Sequence, residues 1–346
     1  MLTFCVLLLS GAQISTPFLS RTIHEQLLAS TVRQICLRYS RVSNIESEKH
    51  TKDQSNEPQM NTEIRASESL SPRERYLRAR KSPQWNQMPS IALASLFGDT
   101  ETVRAIISEK QNVDASAPDG VTGLMFSARF GNLELLELLL DAGAQIDRSD
   151  ARGATALVYA AENGNTAELN ALLDRGANPL VRTSSGATLL LAAVTHPNKE
   201  MLKRVLETGQ LLDAQNVEGT TALLSAAMTH DPSILKLLID AGADVNLPRN
   251  DGLTPLIAAT TDDTAFREAN VEAVRLLLEH GAQINAQDES GWSALMGAAF
   301  YGGADAVRLL LHAGADTTLA DNKGRTALDM AIKKGNSDIA EELRRR

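Results

Sequence analysis

Cysteine is nearly missing from this chain. Cys5 and Cys36 are the two in 346 residues, and nothing after residue 36 repeats them. A disulfide framework and a cysteine-based zinc cluster are therefore excluded from most of the molecule, while the redox compartment is left open. Aromatic residues are sparse at 4%, so the core cannot rest on large rings, and any ring at an exposed position gains weight. The apolar run at the start, Leu2 to Leu9, is far shorter than the ~20 residues needed to span a bilayer as a helix. Catalytic patterns are missing too: no His-Glu-x-x-His zinc motif, phosphate loop or nucleophile elbow occurs. No catalytic residue, metal site or cofactor is expected.

What the chain does have is glycine at a fixed step. Gly120, Gly153, Gly186, Gly219 and Gly252 are each 33 residues apart, Gly291 follows after 39, and Gly324 after 33 again. A second series, Gly143, Gly176, Gly209, Gly242, Gly281 and Gly314, runs in phase with the first. One six-residue insertion, within Thr261 to Asn270, accounts for the irregular gap in both. Such a step means one supersecondary unit stacked many times rather than one globular core.

Each unit reads as turn, short helix, turn, longer helix. In the unit from Asp150, Gly153 suits a polar turn, Thr155 stands where a helix N-cap would, Gly164 suits a helix–helix turn, and Gly176 a helix end. Leu169, Leu172 and Leu173 fall at helical spacing on the second helix. Alanine pairs such as Ala160-Ala161, Ala226-Ala227 and Ala298-Ala299 recur on the first helix, where small side chains let units approach closely. No unit can bury its apolar face alone, so stability is shared along the stack.

These residues resemble the ankyrin-repeat family. Thr254-Pro255-Leu256 is similar to its Thr-Pro-Leu-His opening, and Asp240-Ala-Gly-Ala-Asp-Val-Asn246 and Glu279-His-Gly-Ala-Gln-Ile-Asn285 to its unit ending. The resemblance implies an all-α solenoid of helix–turn–helix units with hairpin loops over 85–346. A cap would occupy 85–117, with repeats starting near 118, 150, 183, 216, 249, 288 and 321. One departure is systematic. The family's histidine is replaced by Met125, Val158, Leu191, Leu224, Ile257, Met296 and Asp329, so apolar packing is expected to stand in for its hydrogen bonds at six positions.

The region before the repeats differs. Residues 1–20 are a candidate signal or targeting segment, with Ser10-Gly11-Ala12 after the apolar run but no Lys or Arg before it. Export and an uncleaved cytoplasmic N-terminus both remain open. So does organellar transit, since Arg21, Arg33, Arg38 and Arg41 outweigh Glu25. Residues 21–84 read as largely disordered linker, with a basic cluster of Arg73, Arg75, Arg78, Arg80 and Lys81 near the end.

The net charge of −9 hides two opposite parts. Residues 1–85 carry 12 basic and 8 acidic residues, leaving 22 against 35 for the remainder. An acidic solenoid repels phosphate backbones, so nucleic acid is not an expected partner. By the resemblance, contacts come from the hairpins and from the residues 9 and 10 after each opening glycine. Those positions include Phe97, Arg129, Phe130, Glu162, Asn163, His196, Met228, Phe300 and Tyr301, with Trp292 on a hairpin. Large rings facing water mark contact hot spots. The expected function is a non-enzymatic, monomeric scaffold holding a protein whose surface is basic or complementary to aromatics. The alternative is a small-ligand sensor, or an accessory protein that stabilises an enzyme. His196 and His230 recur in similar Thr-His turns, where each is read as shaping the turn ahead of a proline-started helix.

Overall fold

The computed structural model describes residues 70–196, 198–229, 231–261 and 267–345, with backbone alone for 267–270. The candidate targeting segment, His230 and most of the insertion lie outside the described residues. Seventeen α-helices are seen among the described residues. The first, α1 (Pro72–Ala79), is followed by a single 3-10 turn, Pro83–Trp85. Eight pairs follow: α2 (Ser90–Phe97) with α3 (Thr100–Ser108), α4 (Gly123–Phe130) with α5 (Leu133–Asp141), α6 (Ala156–Glu162) with α7 (Thr166–Asp174), and α8 (Leu189–Val194) with α9 (Lys199–Leu206). Then come α10 (Ala222–Met228) with α11 (Pro232–Asp240), α12 (Pro255–Ala258) with α13 (Arg267–Glu279), α14 (Ala294–Tyr301) with α15 (Ala304–His312), and α16 (Ala327–Lys334) with α17 (Ser337–Arg344). The insertion is accompanied by a second helix of 13 residues in α13, against nine in α11 and α15.

The linker expectation fails at its C-terminal end. Residues 72–79 form a helix, opened by a capping box in which Ser71 and Glu74 bond each other's backbone N–H. Its Tyr76 and Ala79 are buried against the first pair, and Arg73 reaches Glu101 at 3.0 Å. Arginines at the outward positions gave the stretch a disordered composition while the helix's inward side is apolar.

Threonine or serine hydroxyls cap most first helices, as Thr122 does to the Met125 N–H (3.3 Å) and Thr221 to that of Leu224 (3.1 Å). Thr155 holds the same position with no side-chain cap bond, and its buried hydroxyl has no partner among the described residues. The residues standing for the family's histidine are buried at all six apolar positions. At the seventh, Asp329 is exposed and completes a capping box with Thr326 instead. Of the two turn prolines, Pro232 does start α11, but α9 begins at Lys199 behind an Asn198 cap.

Two ladders join the units. Along the hairpins, each tip donates a backbone N–H to the one before it: Ala151 to the Asp119 carbonyl (2.8 Å), Val217 to Ser185 (2.9 Å), Asn322 to Ser290 (2.9 Å). Hairpin glycine is required for that approach. A Cβ on Gly291, at φ 76°, would lie 2.9 Å from the Asp321 Cα. At the loops closing the second helices, the side-chain oxygens of Asp114, Asp147, Asp213, Asn246 and Asn285 accept the N–H of the residue 31 or 37 further on. Leu180 occupies this position in the remaining junction and stays exposed (62%), as does the neighbouring-unit Leu211 (71%).

At most junctions successive first helices pack side by side and more intimately than successive second helices, the short α12 against α14 being the exception. The small residues explain this: a Cβ on Gly297 of α14 would fall 2.5 Å from the Thr260 hydroxyl of the preceding unit. The stack is therefore tighter on the first-helix side, and the ends of the first helices form its inner row.

Candidate functional site

The row begins at Phe97, which is half-buried and meets Trp85 edge-on at 5.9 Å. Trp85 comes from the 3-10 turn after α1, so the added N-terminal element covers one side of this ring.

In the next unit Arg129 and Phe130 end α4. Phe130 stacks on Phe126 (6.3 Å, 9° between planes), and the Arg129 guanidinium lies 5.8 Å from the Phe130 ring and 5.6 Å from that of Tyr159. Tyr159 is buried, donates to Asp150 (2.8 Å), and has Arg152 at 5.2 Å from its ring. Glu162 stands 3.6 Å from Arg152. Burial, reinforced by the Asp150 charge, pushes the Tyr159 phenol up to about 12. Burial works against the Arg152 cation, but Tyr159, Glu162 and Asp150 outweigh it and hold the guanidinium charged. Asn163 is turned back on its own helix, donating to the Tyr159 carbonyl at 2.8 Å.

The middle of the row is open. His196 is exposed, with its Cβ set where a Cβ on Gly164 of the preceding unit would come within 3.3 Å. Met228 is 52% exposed.

At the C-terminal end, Phe300 meets Trp292 at 5.5 Å and Tyr301 at 5.0 Å, both edge-on, and all three are half-buried. Lys334, at the end of the next first helix, sets its ammonium 4.2 Å from the Phe300 ring centre. The backbone is tied down by the same neighbour, for Asn336 donates to the carbonyls of Ala299 (2.8 Å) and Phe300 (3.2 Å). Asn165 does the same for Ala128 and Arg129 (2.8 and 2.9 Å). The aromatic ends are thus held rigidly, and part of each ring still faces water.

An acidic inner face, which would have favoured a basic partner, is not what the row presents. Its described charges are Arg129, Glu162, Lys333 and Lys334, with Asp262 outside the described residues. Many of the acids sit instead on the second helices, tied to arginines of adjoining units: Arg104–Glu134, Arg175–Asp141, Arg204–Asp174 and Arg308–Glu342 at 3.6, 2.8, 2.7 and 3.6 Å. A cleft of about 380 Å³ between α13 and α15 is lined by Val271, Arg275, Asp305, Arg308, Leu309 and His312. Its arginines are occupied, Arg275 by Glu272 (3.4 Å) and Arg308 by Asp305 (2.5 Å). Among the described residues no group of three or more His, Cys, Asp or Glu could hold a metal ion, and no helix is long and apolar enough to cross a membrane.

Tyr159, Arg152 and Asp150 were not singled out as site residues from the sequence, whereas Lys334 falls on the row, 10 residues after Gly324. A signal for Tyr159 existed: it and Phe126 are large rings at a first-helix position that holds Ala192, Ser225, Ala258 and Gly297 in later units.

The architecture defines a helical-repeat module with one rigid row of partly exposed side chains. The family model described as ankyrin repeats (3 copies) matches residues 91–183, 169–248, 189–288, 226–321 and 262–345. The chain is a member of the ankyrin-repeat family, whose repeats are generally protein–protein interaction modules and whose proteins are typically non-enzymatic scaffolds. Comparison with curated proteins found none that matches.

Proposed function

We propose that this chain is a non-enzymatic, monomeric scaffold that grips a protein partner along its inner first-helix row. The observation that carries the reading is the set of partly exposed rings, Phe130, Phe300 and Tyr301, on two helix ends whose backbone carbonyls are tied by Asn165 and Asn336 of the following units, in a chain with few aromatics. Rigid aromatics at a partly desolvated surface are where binding energy concentrates. Arg129, Glu162, Asn163, His196 and Met228 supply the polar and adaptable contacts between them, while Phe97 and Trp292 act mainly as supports. The small-ligand alternative has the α13–α15 cleft to point to, but that cleft offers no charge that is not already neutralised.

The test is capture from unfractionated extract with the full chain and with its Phe130→Ala/Phe300→Ala/Tyr301→Ala variant as baits. A protein held stoichiometrically by the first and lost by the second, with helicity retained, supports the scaffold. Identical retention by both baits, or a saturable small-molecule thermal shift with no protein retained, overturns it.

A further inference from the structure

We infer that the C-terminal end of the inner row, and that end alone, docks a short acidic motif of the partner protein, in which a carboxylate stands beside an apolar side chain. This rests on the scaffold reading and names the partner's chemistry at one place. The chain as a whole is acidic, which on composition alone would call for a basic partner. The structure distributes that charge unevenly. At the Phe130 end the charges are settled within the molecule: Arg152 is paired with Asp150 at 3.3 Å and with Glu162 at 3.6 Å, and Arg129 lies against the Phe130 and Tyr159 rings. The C-terminal end differs. Lys333 and Lys334 close α16, both are exposed, and neither forms a salt bridge among the described residues. Asp329 has the i, i+4 spacing that would pair it with Lys333, but it is turned to the start of the helix and accepts the Thr326 N–H at 2.8 Å. The nearby hairpin acid, Asp321, is held by Arg325 at 2.8 Å. Two cations are thus left without a carboxylate beside Phe300, Tyr301 and Trp292, and the Lys334 ammonium lies 4.2 Å from the Phe300 ring centre.

The arrangement suits two side chains at once. A carboxylate can neutralise the lysines, while an apolar neighbour covers the exposed part of Phe300 and Tyr301 and keeps water from the ion pair, which strengthens it. The spacing sets the length. The rings end α14 and the lysines end α16, one unit apart. Packed helices stand about 8–10 Å apart, and an extended chain covers about 3.3 Å per residue, so the acidic and apolar residues are roughly three positions apart. The rest of the row, from Met228 back to Phe130, offers such a motif no comparable cation.

The experiment is selection of displayed random peptides of roughly ten residues on the full chain, followed by affinity measurement on the enriched peptides at low and high salt. The comparison baits are the Lys333→Glu/Lys334→Glu and Lys333→Gln/Lys334→Gln variants, which reverse and remove the charge. Both lysines are exposed and outside the core, and melting curves check that each variant folds; should reversal unsettle the fold, the glutamine pair gives the reading. The expected result is enrichment of peptides with Asp or Glu about three residues from a large apolar side chain. Their binding should weaken with salt and fall about tenfold or more on the charge-reversed bait. It should fall less on the neutral bait, and fall likewise when the peptide acid is changed to its amide. Neutral or basic enriched peptides, equal binding to all baits, or no enrichment each overturn the inference. Capture of a protein that needs the three rings but not the lysines would leave the scaffold reading standing and remove only the acid preference.

Discussion

The Lys334 ammonium lies 4.2 Å from the centre of the Phe300 ring, although the two belong to successive repeats. The ring's edges meet Trp292 and Tyr301, and its own carbonyl accepts from Asn336. Phe300 is thus packed and displayed at once.

Replacing it should tell these roles apart. Phe300→Ala is expected to lower stability by about 1–3 kcal/mol, below the cost of a fully buried ring because part of it faces solvent. Lys334→Ala should cost less than about 1 kcal/mol. Urea unfolding of both variants gives the comparison, and equal losses would mean the ring is not held by Trp292 and Tyr301.

The loop ladder offers a stabilising change. Five junctions use an Asp or Asn oxygen to accept a backbone N–H of the next unit, and Leu180 interrupts the series. Leu180→Asn should supply the missing acceptor and add about 0.5–1.5 kcal/mol. A variant that melts at or below the parent temperature would show that this junction cannot adopt the geometry of the other five.

Tyr159→Phe removes the donor that Asp150 accepts at 2.8 Å. The loss should be about 1–3 kcal/mol, since it leaves a buried carboxylate oxygen with only its longer Arg152 contact of 3.3 Å. The parent also carries an alkaline signature. With the folded phenol near 12 against an ordinary 10.0, the neutral form is favoured in the fold. That contribution is complete below pH 10 and fades as pH rises toward 12. Stability curves of parent and variant should converge over that interval; parallel curves would reject the buried pairing.

Two hairpin acids govern the acid side. Arg249 holds Asp251 at about 2, and Arg325 holds Asp321 at about 2, each below the ordinary 3.8. Depressed carboxyls stabilise the fold above their unfolded values, and the contribution disappears as pH falls from about 4 toward 2. Asp321→Asn should flatten part of that decline. An unchanged acid limb in unfolding measurements would show that the Arg325 pair contributes nothing.

Much of the repeat architecture was legible because its signals are local. A glycine at positive φ, a Thr N-cap three residues ahead of its bonded N–H, and leucines at helical spacing each act within a few residues. Helix α1 was legible too, in the Ser71-Pro-Arg-Glu74 capping box, but composition pointed the other way. A net charge carries no address for a related reason: a sum over residues does not say which acids are paired. The register of the first-helix ends was legible from the glycine step, while the neighbours of those side chains, Trp85 under Phe97, Tyr159 beside Arg129 and Lys334 over Phe300, join residues 12 to 34 apart.

The sequence by itself determined the unit, its step, its caps and the family, since each follows from short-range backbone and packing preferences repeated in phase. Only the tertiary structure decided which side chains of the row are covered and which are displayed, and on which side the acids are neutralised. Exposure and charge pairing are set by the neighbouring unit, whose side chains arrive from a full repeat away.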